Sequence, residues 1–329
     1  MKSPRNAIGR RAVLAGLGGA FAAPAIVSAE AAYPSKPVRY INPFPAGGAT
    51  DTLSRLFCAK MSELTGQQWL VENKGGSGGN VGMDALAQSA PDGYSLGLGG
   101  IASHAIAPTL YARLPFNPRM DFTFVSTIWQ LPNMLVVNLD LPAKSVPELI
   151  ELLRKNPGKY SYGSAGSGTT LHLSGELFKF MTGCDMLHVP FKGAGPALVE
   201  LMSGQVHVIF DNLPSSAPHL KGGRIRALAV TSAEREPSLP GVPTVAETVP
   251  GYEATAWFGI GMPRGTPAEI IEKVNAETNR ALADPQMQAR LAQLGGNPIP
   301  GTPQDFGKVI AAETAKWAKV VISSGAKVE

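Results

Sequence analysis

Apolar residues fall along this chain in short runs, separated by longer stretches where they recur every three to four positions. Val38 to Asn42, Trp69 to Glu72, Tyr94 to Leu98 and Phe124 to Ile128 have the length and side-chain types of short buried strands. Between them Ala49 to Leu64 and Val81 to Ala90 carry the helical period. A second series predicts strands at Met134 to Asn138, Tyr160 to Tyr162, Leu187 to Val189, Val206 to Phe210 and Ile225 to Val230. Its helices are Val146 to Lys155, Thr170 to Met181, Pro196 to Met202 and a short one near Pro214 to Lys221. Such alternation predicts an α/β protein with a mainly parallel sheet in each half, flanked by helices. After Trp257 to Met262 the pattern is wholly helical, over Pro267 to Ala283 and Thr302 to Ser323. With no new strands to cover, these helices are expected to return to the first domain. The chain then crosses between domains twice, near residues 130 to 135 and 250 to 257. That divides it into residues 32–132 plus 255–329 and residues 133–254, the layout of a hinged, two-lobed binding protein.

Size agrees with two domains, since 329 residues exceed what one small core organises. The 37 glycines and 28 prolines fall between the periodic segments, which indicates many short turns. Charge changes the picture only at the N-terminus. Lys2, Arg5 and Arg10-Arg11 precede a small-residue apolar run to Val27, and Ala29-Glu30-Ala31 supplies a small-x-small cleavage pattern. Residues 1–31 are therefore expected to be a cleaved export signal, and the arginine pair points to the twin-arginine route into the periplasm. Gly9 stands where Ser or Thr is more usual in that signal. The formal net charge of +4 belongs to residues 1–29, which hold four basic residues and no acidic one: without them, 25 basic side chains face 25 acidic ones. Nothing then favours a nucleic-acid partner. Cys58 and Cys184 are expected in different domains and unpaired, and no CxxC or HExxH suggests a metal, a redox centre or another cofactor.

In open parallel sheets, ligands gather beyond the C-terminal strand ends, where helix N-termini present backbone N–H groups. Three loops of small residues fall there. The first, Phe44-Pro45-Ala46-Gly47-Gly48-Ala49-Thr50-Asp51, opens a helix of the first lobe. The second, Gly163-Ser164-Ala165-Gly166-Ser167-Gly168-Thr169-Thr170, opens the helix that carries His172. The third, Gly99 to His104, contains Ser103. Closing a hinge between lobes would bring the first two loops onto one anion, forming a carboxylate clamp without arginine. Plain turn chemistry is the alternative for each loop. Asp51 either meets a ligand or caps its own loop; His172 either donates to a carboxylate or is satisfied within the fold. His104 is the weaker histidine candidate. Phe44 and Trp257 either wall the cleft or pack the hinge, with core packing the expected role of Trp257.

Five blocks carry a resemblance over the whole mature chain: YPSKPVRYINPFPAGGATDTLSR, VENKGGSGGNVGMDALAQSAPDGYSL, YGSAGSGTTLHLSGELFK, HVPFKGAGPALVELMSGQVHVIFDN and RIRALAVTSAEREPSLPGVPTVAET. They resemble the periplasmic solute receptors of the tripartite tricarboxylate transporter family, the Bug receptors. The resemblance implies a Venus-flytrap fold, an organic-acid ligand, a monomeric receptor and delivery to integral membrane transporter subunits. It also implies that loops Pro43 to Asp51 and Ser164 to Thr170 grip one carboxylate through backbone N–H groups. The distal end of the ligand is then sought near Ile101 to His104, Lys192-Gly193-Ala194 and Asp211-Asn212, with Asp211 alternatively an ordinary capping acid. Ala46 and Ala102 depart from the family's usual residues, which bears on ligand identity and not on ligand class.

Two other readings stand beside this one. A serine hydrolase would use Ser164 or Ser167 with His172 and Asp211, but YGSAGSGTT lacks the Gly-x-Ser-x-Gly elbow. A sensory receptor would bind the same acid and report to a signalling protein.

Overall fold

The computed structural model describes Met1 and residues 33–328; the expected export signal lies outside the described residues. Strand β1 (Val38–Asn42) lies between β2 (Trp69–Asn73) and β3 (Ser95–Gly100), parallel to both. Helix α1 (Ala49–Thr65) covers them because Leu53, Phe57 and Met61, spaced four apart, form one apolar face with no solvent exposure. Phe57 packs its ring against Tyr40, Trp69 and Trp129. Gly66 ends the helix in the left-handed conformation, at φ 69°. Helix α2 (Asn80–Ala87) follows β2, and a π-helical turn, Ile101–Ile106, leads from β3 into the short α3 (Ala107–Leu110).

The second half repeats the scheme. Helix α4 (Val146–Lys155) precedes β5 (Ser161–Ser164), which lies parallel to β6 (Leu187–Pro190) and to β7 (Val208–Asn212). Helices α5 (Thr170–Thr182) and α6 (Ala194–Met202) open from the loops after β5 and β6, and α7 (Leu213–Lys221) follows β7 directly.

Two strands join the halves. The sequence predicts separate strands before and after Trp129; the structure has one 16-residue strand, β4 (Phe122–Val137). Pro132 marks the break in the pattern without breaking the strand. It forms the last pair with β9 (Thr255–Pro263), and from Asn133 onward β4 pairs with β7 and β8 (Arg226–Val230). A residue lacking an N–H is tolerated at such a change of partner. Because β9 runs antiparallel to β3 and β4, and β4 antiparallel to β7, the order is β2-β1-β3-β9-β4-β7-β5-β6 in a mixed sheet. The parallel pairing expected from the sequence holds within each flank.

The last helices return to the first half. In α10 (Pro303–Ser324), Phe306, Ile310, Trp317 and Val321 are buried, and the Trp257 indole N–H donates to Glu313 at 3.1 Å. Asn275 of α8 (Ala268–Ala283) donates to the Val125 carbonyl of β4 at 2.8 Å. Two elements fall where the sequence pattern shows none, α9 (Pro285–Gln293) and the two-residue β10 (Asn297–Pro298). Pro285 ends α8 and opens α9 at once, and Asp284 caps the new helix from the Met287 N–H. Cys58 and Cys184 are buried free thiols. Among the described residues no helix is long and apolar enough to cross a membrane.

Candidate functional site

Five strand-to-helix loops from both flanks of the sheet converge on one pocket, about 530 Å³ of atom-free space partly open to solvent. The loop after β1 contributes Phe44, Pro45, Ala46, Gly48, Ala49 and Thr50; the turn after β3 contributes Ile101 and Ala102. From the other flank come Ala165, Thr169, Thr170 and Leu171 after β5, Gly193, Ala194 and Gly195 after β6, and Asn212 at the end of β7. Phe258 of β9 supplies a further wall. No lining residue carries an ionisable side chain.

The positive potential comes instead from helix ends. The first N–H groups of a helix have no intrahelical acceptor, and the aligned peptide dipoles place partial positive charge there. Helices α1, α5, α6 and α7 all begin at this pocket, capped by Gly48, Thr169, Gly193 and Asn212. The two adjacent glycines of the first loop have different roles. Gly47, at φ +86°, makes a turn that an L side chain resists, whereas Gly48 is in extended backbone and leaves the pocket wall bare.

Asp51 does not enter the pocket; it closes its own loop. Its carboxylate accepts from the Gly47 N–H and from Asn73, each at 3.0 Å, and pairs with Arg55 at 3.0 Å. Burial opposes its ionisation, but these donors outweigh that and hold the group below the usual carboxylate range.

His172 likewise belongs to the support of the second loop. Its Nδ1 accepts from the Gly168 N–H at 3.2 Å, and its ring stacks on His188 at 4.0 Å. Ser164 is bonded to His188 Nε2 at 2.7 Å and accepts from the Gly166 N–H at 3.2 Å, while Thr169 donates to the Gly166 carbonyl. Burial pushes His172 down to about 4 and His188 to about 3, so both rings are neutral near pH 7 and act as loop props. Ser164 is wholly buried and bonded to His188, His172 Nδ1 is taken by the Gly168 N–H and Asp211 is bonded to Ser215 and Ser216, so a Ser–His172–Asp211 triad is assembled with neither Ser164 nor Ser167.

Three further candidates, Ser103, His104 and Asp211, face the core. The π-helical turn presents Ile101 and Ala102 to the pocket and turns Ser103 and His104 behind it. Ser103 sits 2.9 Å from His104 Nδ1, and the His104 ring packs among Phe122, Phe124 and Phe306. Desolvation lowers His104 to about 4. Asp211 is fully buried, accepts from Ser215 and from Ser216, and burial raises it to about 6. Its neighbour Asn212 takes the pocket position and donates to Asn133 at 2.5 Å. Gly166, Ser167 and the exposed Lys192 line an adjoining depression of about 640 Å³ with Gly78 and Tyr111.

Leu171, Gly195 and Phe258 line the pocket without having been singled out in the sequence. Strand alternation is the signal for Phe258: once Trp257 is assigned to the core under α10, period 2 turns its neighbour to the other face.

Residues 53–325 match the family model described as "Tripartite tricarboxylate transporter family receptor". The chain is 36% identical over 305 residues to Protein BugT of Bordetella pertussis, covering 92% of this chain and 93% of that protein. Its fold matches R. palustris Rpa4515 with adipate at a TM-score of 0.88 and 42% identity, over 90% of this chain and 100% of that one. MatC (Rpa3494) from Rhodopseudomonas palustris with bound malate matches at 0.83 and 33% identity, over 88% and 100% of the two chains.

Proposed function

The chain belongs to the receptor family of the tripartite tricarboxylate transporters, and from that premise we propose that it captures a small organic acid, carboxylate first, between two moving lobes. The lobes are residues 32–132 plus 255–329 and residues 133–254, hinged where β4 passes from one flank to the other. The family is one of binding proteins and not of enzymes. The observation that carries the reading is the convergence of four helix N-termini on a pocket without a charged side chain. Each end contributes on the order of 0.3 to 2 kcal/mol toward an anion, so several together supply much of the roughly 8 kcal/mol of a micromolar complex.

The walls also select the body of the ligand. Ile101, Leu171 and Phe258 favour an apolar segment beyond the clamped carboxylate, and Asn212 offers a polar contact beside it. The carboxylates named with the two R. palustris relatives, adipate and malate, agree with an acid of this size. The receptor works as a monomer in the periplasm, reaches it by the twin-arginine route indicated by Arg10-Arg11, and hands its ligand to the membrane subunits of the transporter.

Thermal unfolding of the refolded mature protein against acids, each paired with its amide, tests the reading. Ligand at one hundred times Kd should add about 2.7 kcal/mol of stability. Equal shifts with an acid and its amide, or no shift with any acid, would exclude a carboxylate clamp.

A further inference from the structure

The rim of the cleft is bridged by a contact that the ligand pocket does not explain. Tyr111, just after α3, donates its hydroxyl to the Ser167 carbonyl at 2.9 Å, linking the loop after β5 to the opposite flank of the sheet. Close backbone approaches surround it. A Cβ on Gly78 would lie 2.4 Å from that same Ser167 carbonyl oxygen, and one on Gly193 would lie 3.0 Å from Pro45. The Gly76–Gly79 segment keeps this approach through four successive positive φ angles of 142°, 47°, 63° and 102°, and its Ser77 is the one non-glycine with positive φ among the described residues. Such backbone persists where surrounding contacts impose it.

Tyr111 is itself held in place. The Val328 N–H donates to the Leu110 carbonyl at 2.9 Å and the Ala112 N–H to the Val328 carbonyl at 3.0 Å, so the C-terminal segment braces the tyrosine backbone on both sides. Burial raises the phenol above its ordinary value, which keeps it a donor. Neither Tyr111, Gly78 nor Ser167 lines the ligand pocket.

We propose that Tyr111 is a latch: by bonding the Ser167 carbonyl across the rim, it sets how long a captured acid is held, without touching that acid. The bond exists only while the two sides meet, so it adds to the closed population whatever the ligand's chemistry. Release must break it, so its effect falls on the dissociation rate. Gly78 is the matching seat, left without a side chain so that the rims can close. The proposal rests on the carboxylate-receptor reading for its ligand but not for its geometry.

Stopped-flow binding of adipate, malate and hexanoate to Tyr111→Phe and Gly78→Ala, with Phe258→Ser as a pocket control, provides the test. For Tyr111→Phe the dissociation rate should rise roughly 2- to 10-fold, the loss of one neutral hydrogen bond. The factor should be the same for every acid that binds, with the association rate nearly unchanged, whereas Phe258→Ser should affect the acids unequally. Gly78→Ala should act like Tyr111→Phe, and small-angle scattering of the ligand-free Gly78→Ala protein should show a more open particle than wild type. Unchanged dissociation rates in both variants, or a loss that differs from acid to acid, would overturn the latch. If no acid binds wild type, the carboxylate reading fails, and the scattering comparison decides the latch: a more open variant supports it and identical profiles overturn it.

Discussion

Gly48 and Asp51 show how one loop divides its work between neighbouring residues. Gly48 faces the pocket, with only the Pro45 carbonyl 4.0 Å from where a Cβ would stand, so Gly48→Leu should fold normally and fill the cavity. Binding of every acid should fall at least tenfold by isothermal titration while the unfolding midpoint stays near wild type. Asp51→Asn acts through the loop instead: weakening a buried carboxylate that accepts from Gly47 and Asn73 and pairs with the exposed Arg55 should cost about 1 to 3 kcal/mol in denaturant unfolding. Asp211 gives a pH signature. Its folded value is raised from 3.8 to about 6, so between those values the folded state holds a proton that the unfolded state has lost. Stability therefore declines as pH rises from about 4 to 6, an effect of roughly 3 kcal/mol, and levels off above. The stability of Asp211→Asn relative to wild type should accordingly climb over that interval, as measured by urea unfolding at a series of pH values. A flat difference would mean that the buried carboxyl ionises normally.

At the scale of elements, the sequence was most legible where one segment had one environment. Strand β1 and helix α4 have the boundaries the pattern predicts, because their faces look consistently inward or outward. Strand β4 was not legible as one piece. It changes partners at Pro132, and a proline within an apolar run reads as a break unless that change of partner is known. The site followed the same rule. Loops opening ordinary α-helices placed Gly48, Thr169, Thr170, Gly193 and Ala194 at the pocket, where strand-end geometry puts them. The turn after β3 is π-helical, its side chains progress at a different angle per residue, and Ser103 and His104 fall behind the wall instead of in front. At the end of β7 alternation decides between adjacent candidates, and Asn212 rather than Asp211 faces the pocket. Helix α10 couples to this wall through Phe306, which packs on His104, Phe124 and Trp257. Phe306→Ala should destabilise the protein by about 3 to 5 kcal/mol in chemical unfolding, through the lost apolar surface and the cavity left.

Across the whole molecule, the feature with the widest consequence is the shared strand. A receptor whose halves were tied by loose loops would swivel freely and stop wherever solvent left it. Here β4 is one extended ribbon, hydrogen-bonded to β9 on one side of Pro132 and to β7 and β8 on the other. In the two-lobed receptor proposed above, such a tie would bend as a leaf spring, its resting angle built into the ladder and each displacement opposed elastically. If the two lobes move as proposed, that elasticity would supply the return stroke, and a receptor that had given up its acid would reset without any input of chemical energy.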